Sequence, residues 1–347
     1  MSCYDRLCDL PLVVEATGRE RRERDTSSGF VRATTTFVLE GAGAVGRGED
    51  VTYDTDDHDA LDGVAFDDLL GEWTLDGFSR HLDARDLFPA KPPGREDFRH
   101  YRRWAFESAA LDLALRQAGT SLSAALDREP SPVNFVASTR LDGGDPARLR
   151  DLLAANSDLS FKLDPTPEWT AETFAALRET GAVRILDLKG HYEGTTVDQA
   201  PDPALYERVF GVPGAVVEDP AITDETREIV EANAARVSWD APITGVESCE
   251  ALPFEPSWLN VKPSRFGSVR SLLETIEWAD ARDVSLYGGG QFELGVGRAH
   301  VQLLASLCYP TGPNDVAPPV YNDPGVPEDP PTSPLAAPAN STGLSWE

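Results

Sequence analysis

The sequence predicts an α/β fold: an α+β N-terminal domain followed by a TIM (β/α) barrel of parallel strands. Two observations carry that prediction. Four short apolar runs, Ile185-Leu-Asp187-Leu-Lys189-Gly, Val216-Val-Glu218-Asp-Pro, Val237-Ser-Trp-Asp240-Ala-Pro and Leu259-Asn-Val-Lys262-Pro, each end in a charged residue and break at Gly or Pro. They recur roughly every 22 to 31 residues with helix-like sequence between them, the pattern of repeated βαβ units. In a closed barrel the C-terminal strand ends meet at one mouth, so Asp187, Glu218, Asp240 and Lys262 should converge there.

The N-terminal elements come first. Residues 10–15 and 32–40 read as strands, the second through its β-branched run Thr34-Thr35-Thr36-Phe37-Val38. Gly41-Ala42-Gly43 is a turn, and residues 44–49 return as the hairpin partner. Polar loops around residues 25–29 and 49–59 flank these strands, and loops on a rigid scaffold are where binding residues tend to sit. Residues 102–118 form the clearest helix, with Trp104, Ala109, Leu111 and Leu115 on its apolar side and Gly119 as its stop.

Barrel strands are expected at 133–138 and at 159–163, the latter ending near Lys162, followed by the four runs above and a further strand at 284–287. Helices are expected at 224–236, 268–281 and 296–307. Beyond Pro310 the chain turns rich in Pro and Gly, with too little apolar periodicity for a domain, and should lie over the fold. The expected organisation is an N-terminal domain over 1–125, a barrel over 126–310 and a returning C-terminal segment over 311–347.

At 347 residues the chain can bury a sizeable core. A net charge of −28 argues against nucleic acid or an anionic membrane as partner. The acid is spread along the chain, and lysine is reduced to Lys91, Lys162, Lys189 and Lys262. Diffuse acid with Arg in place of Lys matches a salt-rich cytoplasm, where screening removes self-repulsion. Three of the four lysines stand at or beside proposed strand ends. A chain that has otherwise given up lysine keeps it where an amine must lose a proton, which arginine cannot do. Cys3, Cys8, Cys249 and Cys308 show no metal-like pairing and read as free thiols in a reducing compartment. The expectation is a soluble cytoplasmic protein.

A single Asp before Ala-Pro or Gly is most often a helix cap or a solvated strand end. Three carboxylates at three consecutive strand ends are much harder to explain that way. Their hard oxygen donors suit Mg²⁺, whereas the absence of a His or Cys cluster disfavours zinc.

The ordered series Lys162, Asp187, Glu218, Asp240 and Lys262, followed by Gly289-Gly-Gln-Phe-Glu293-Leu-Gly-Val-Gly-Arg-Ala-His300, resembles the enolase superfamily. Within it the muconate-lactonizing, o-succinylbenzoate synthase, N-acylamino acid racemase and dipeptide epimerase group is most similar. The resemblance extends to the helix at 104–115 and to Gly46-Arg-Gly48-Glu49. It implies a modified TIM barrel under an α+β capping domain, with Mg²⁺ on Asp187, Glu218 and Asp240. Lys162 and Lys262 then flank the substrate α-carbon, and the reaction removes the proton α to a carboxylate through an enediolate. Two lysines on opposite faces serve racemisation or epimerisation of an N-acyl amino acid or dipeptide-like substrate. One base serves dehydration or cycloisomerisation, and a catalytically silent carboxylate-binding barrel is the alternative from another class.

Three positions depart from the pattern. Ser160 stands where Lys-x-Lys is common, Lys189 where Asn is usual, and Arg265-Phe-Gly-Ser where Gly-Gly is common. On a strand, positions i and i+2 share a face, so Lys189 is expected to place a cation near the metal. Gln291, Glu293, Asp315, Ser28 and Tyr53 are expected to shape the pocket for a small-molecule carboxylate. Association into homo-oligomers stays open.

Overall fold

In the computed structural model, which describes residues 2–26, 29–195, 197–323, 325–326, 328–339 and 341–346, the N-terminal third is built on one long buried strand. That strand, β3 (Val31–Gly41), is buried along most of its length between β2 (Ala16–Asp25) and β4 (Ala44–Asp50) in an antiparallel sheet. A second small sheet pairs β1 (Pro11–Val14) with β5 (Gly71–Thr74). The sequence gives no apolar signal for β2, whose Arg- and Glu-rich run is exposed almost throughout. It is held by its backbone ladder to β3, from Ala16 opposite Glu40 to Asp25 opposite Val31. Charge suits such an edge strand because it discourages pairing with other chains.

The helix Phe98–Gln117 lies between this domain and the barrel and is buried from Trp104 to Leu115. Gly46 and Gly48 are on β4, within the hairpin partner expected at 44–49, and let the helix press against it. A Cβ on Gly48 would lie 1.9 Å from the Ala105 carbonyl oxygen. Close approach of backbone to backbone requires glycine here.

The second domain is a parallel sheet in sequence order: β6 (Ala137–Thr139), β7 (Phe161–Leu163), β8 (Val183–Asp187), β9 (Val216–Glu218), β10 (Val237–Trp239), β11 (Trp258–Val261) and β12 (Ser285–Gly288). β7 to β11 are almost wholly buried, as expected of strands covered on both faces. Among the described residues the sheet has seven strands, and a short segment spans the gap between its edges. Asn314 pairs with Phe135 just before β6, and Asp315 pairs with Gly289 just after β12. The chain then returns, with Leu335 on Val133 and Gly343 on Ser121. No helix among the described residues is long and apolar enough to cross a membrane.

Candidate active site

Parallel pairing brings the charged strand ends together. β8 ends at Asp187 and β9 at Glu218, which are register partners. Asp240 and Lys262 directly follow β10 and β11, and Lys162 is the middle residue of β7. All three carboxylates are fully buried, and Lys162 and Lys262 nearly so. The glycine after β12 makes room for the second lysine, since a Cβ on Gly289 would lie 2.8 Å from Lys262 Cε.

Buried charge is tolerable only when paired, and here the pairing is dense. Lys162 Nζ donates to Glu218 Oε1 at 2.5 Å and lies 3.2 Å from Asp187 Oδ2. Lys262 Nζ donates to Asp240 Oδ2 at 2.8 Å. Arg265 Nε stands 3.2 Å from Asp240 Oδ1. Glu218 Oε2 accepts from the Tyr287 hydroxyl and from Asn260 Nδ2. The Tyr192 hydroxyl donates to Asp240 Oδ2 at 3.0 Å and accepts from Arg265 Nη2 at 2.8 Å.

The electrostatics follow from this geometry. Burial alone would raise Asp187, but the Lys189 and Lys162 ammonium groups outweigh it and hold the carboxyl well below the usual range. Burial also works to raise Asp240, and Arg265 and Lys262 reverse it in the same way. Glu218 goes the other way, pushed up to about 8 by burial against the pull of Lys162, with Asp187 and Asp240 adding to the rise. Burial works to lower Lys162, yet Glu218 and Asp187 leave it well above the ordinary lysine value. A lysine so restrained becomes a base only when the charge on those carboxylates is compensated.

Asp187, Glu218 and Asp240 fit Mg²⁺ by donor chemistry: three hard oxygens on adjacent strand ends, with Asp240 Oδ1 buried and lacking a hydrogen-bond partner. Their present arrangement is one of closed ion pairs. Among the described residues, no three Asp, Glu, His or Cys side chains are grouped to hold a metal.

Lys189 reaches this cluster, though not through strand pleating. β8 ends at Asp187, and Lys189 lies in a turn with φ 54°, which carries its Nζ back onto Asp187 Oδ2. Asp315 lies at the rim, 3.9 Å from Lys162 Nζ. Tyr53 and Gln291 meet, the tyrosine hydroxyl donating to Gln291 Oε1 at 2.9 Å and so linking the N-terminal domain to the barrel loop. Glu293 accepts from the Gln291 backbone N–H and pairs with Arg298. Ser28 lies outside the described residues.

The structure adds residues not singled out from sequence. Asp219 has φ 49°, and its carboxylate accepts the N–H groups of Asp240 and Ala241 at 2.8 and 2.9 Å, fixing the turn after β10. Burial, then the charges of Asp240 and Asp187, push Asp219 up to about 7. Asn260 was findable, since it shares a strand face with Lys262 two residues on. Tyr192 lies in a loop and had no such signal.

Comparison with known proteins agrees with this architecture. Two domain profiles, described as the N-terminal and C-terminal domains of a domain of unknown function (DUF8230), match residues 5–125 and 129–323. An N-succinylamino acid racemase of Amycolatopsis sp. is 26% identical over 247 residues, covering 68% of this chain and 66% of its own length. Another, from Thermus thermophilus, is 25% identical over 175 residues, covering 50% of this chain and 41% of its own. The chain thus spans less than two thirds of the curated relatives it matches. The crystal structure of a dipeptide epimerase from Methylococcus capsulatus, complexed with Mg and the dipeptide L-Arg-D-Lys, superposes with a TM-score of 0.71 at 19% identity. It covers 90% of this chain and 92% of its own. A crystal structure from Enterococcus faecalis V583, described as an unknown member of the enolase superfamily, superposes with a TM-score of 0.61 at 19% identity and covers 87% of this chain and 86% of its own, and the fold here is the capped barrel of these structures.

Proposed function

The chain belongs to the DUF8230 family, and from its capped barrel and the chemistry of its mouth we propose that it abstracts the proton α to a substrate carboxylate. The observation that supports this most is the pair of buried lysines, Lys162 held by Asp187 and Glu218 at the ends of β8 and β9, and Lys262 by Asp240 just after β10. The reaction favoured is racemisation or epimerisation of an N-acyl amino acid or dipeptide-like substrate. Those are the substrate types that the names of its relatives carry.

Asp187, Glu218 and Asp240 are the residues that would hold Mg²⁺, which supplies positive charge against the carboxylate whose α-proton leaves. Lys162 and Lys262 hold and move protons: one neutral Nζ takes the α-proton, and the other, as ammonium, returns one to the opposite face. Tyr287 and Asn260 orient Glu218, and Asp219 fixes the turn carrying Asp240. The hydrogen bond from Tyr53 to Gln291 ties the N-terminal domain to the loop after β12.

Turnover in D₂O tests the assignment. N-acyl amino acids and dipeptides of both configurations should gain deuterium at the α-carbon, as followed by NMR. Lys162→Ala and Lys262→Ala should each lose exchange from one face by about 100-fold or more. Equal loss from both faces in each single variant would replace two-base chemistry with one-base elimination. Wild-type protein that binds Mg²⁺ but exchanges no member of the panel would favour a silent carboxylate-binding barrel.

A further inference from the structure

Lys189 is built into the mouth in a way that the proton-transfer reading does not use. Its backbone has φ 54°, a region that non-glycine residues seldom enter. That turn lets one residue grip one carboxylate twice. The Lys189 backbone N–H donates to Asp187 Oδ1 at 3.1 Å, and its Nζ donates to Asp187 Oδ2. The ammonium also lies 3.5 Å from Asp164 Oδ1 and over the Tyr192 ring. Lys162 approaches Asp187 Oδ2 as well. Both oxygens of the first carboxylate are therefore engaged by donors from the chain itself.

Charge balance points the same way. Lys189 and Lys162 already set two ammonium groups against the single carboxylate of Asp187, with Asp164 beside the first and Asp315 beside the second. A dication placed on Asp187 meets those two ammonium groups at close range, where little solvent screens the repulsion. Moving Lys189 outward, toward Asp164 at the rim, relieves it at the least cost, because Lys189 is the least buried of the three lysines at the mouth.

We propose that Lys189 is the resident counter-ion of Asp187 and that a divalent ion enters this mouth only by exchanging the Lys189 ammonium off that carboxylate. The exchange rests on the assignment of Asp187 as a metal ligand; the counter-ion role does not. Metal uptake is then weak for a site with three carboxylates. In metal-free protein the mouth stays closed by its own cations.

The sparse lysine content makes the test direct, because amine acetylation followed by mass spectrometry reads only four side chains. In EDTA, Lys189 of the wild type should label at least tenfold more slowly than the partly exposed Lys91. In Asp187→Asn its labelling should rise toward that of Lys91. Equal labelling of Lys189 in the two proteins overturns the counter-ion. Calorimetric titration with Mg²⁺ should give at least tenfold tighter binding for Lys189→Asn than for wild type, and Mg²⁺ should speed Lys189 labelling in the wild type. Equal Mg²⁺ affinity in wild type and Lys189→Asn overturns the exchange. If neither protein takes up Mg²⁺ or Mn²⁺ while Lys189 stays protected, the counter-ion stands and the metal assignment falls.

Discussion

The capping domain and the barrel mouth each bury a cluster of charge, and they treat it in opposite ways. In the capping domain Arg102 directs each nitrogen to its own acceptor: Nε to Asp50 at 2.8 Å, Nη1 to the Leu87 carbonyl at 3.1 Å and Nη2 to the Asp57 carbonyl at 2.7 Å. Its guanidinium also stacks on Phe88, and Asp50 accepts from both the backbone and the hydroxyl of Thr52. Each of these groups has one fixed set of partners. At the mouth the charges share partners: Lys162 serves Glu218 and Asp187, Asp240 takes Lys262 and Arg265, and Asp240 Oδ1, Asn260 Oδ1 and Arg265 Nε lack hydrogen bonds. A saturated cluster fixes structure. A shared cluster with spare valence can change partners, as a binding or proton-moving site must.

The largest effect expected from this contrast follows removal of Arg102. Arg102→Met strands the buried Asp50 and should cost about 3–5 kcal/mol in denaturant unfolding. Asp187→Asn should cost about 1–2 kcal/mol, because Lys162 keeps Glu218 and Lys189 keeps Asp164. Equal costs would erase the distinction.

Metal affinity sharpens it from the other side. Glu218→Gln and Asp240→Asn should each weaken Mg²⁺ binding by about tenfold or more in calorimetry. Arg102→Met, where folded, should leave it unchanged.

Acid should act on the capping cluster through His58, whose Nδ1 accepts from Thr35 and whose Nε2 donates to the Thr52 carbonyl. Burial holds its pKa below the ordinary 6.5. The folded protein therefore binds fewer protons than the unfolded chain as pH falls from 6.5 through the depressed value. Stability is lost in that window, by at most about 1.4 kcal/mol per pH unit. His58→Gln should flatten that part of the profile of denaturation midpoint against pH, and an unchanged slope would place the acid sensitivity elsewhere.

Salt should leave the smallest mark on the buried difference. A net charge of −28 predicts that the wild-type melting temperature rises from dilute buffer to molar KCl. The stability gap between wild type and Arg102→Met should stay within about 0.5 kcal/mol over that range, because buried pairs are screened far less than surface charge. A gap that closes with salt would show that the Arg102 cluster is solvated.

Sequence alone determined the barrel and the strand ends at which its charged residues gather, because both are periodic. Apolar runs leading to Asp187, Glu218, Asp240 and Lys262, separated by helical sequence, state their own strand ends, and parallel pairing leaves those ends only one mouth to share. The helix Phe98–Gln117 and the β3–β4 hairpin were legible for the same reason, through helical apolar spacing and a Gly-rich turn. What is held by partners distant in sequence was not legible. The charged strand β2 has no apolar pattern and exists through its ladder to β3. The barrel's remaining gap is spanned by Asn314 and Asp315, two residues of a Pro-rich stretch without periodicity. The grip of Lys189 on Asp187 depends on a single positive φ, and the Asp219 brace on backbone N–H groups one strand away. A sequence shows which charges a chain carries to its mouth. Only the folded backbone decides which of them touch, because a buried ion pair depends on contact distances set by every packed neighbour.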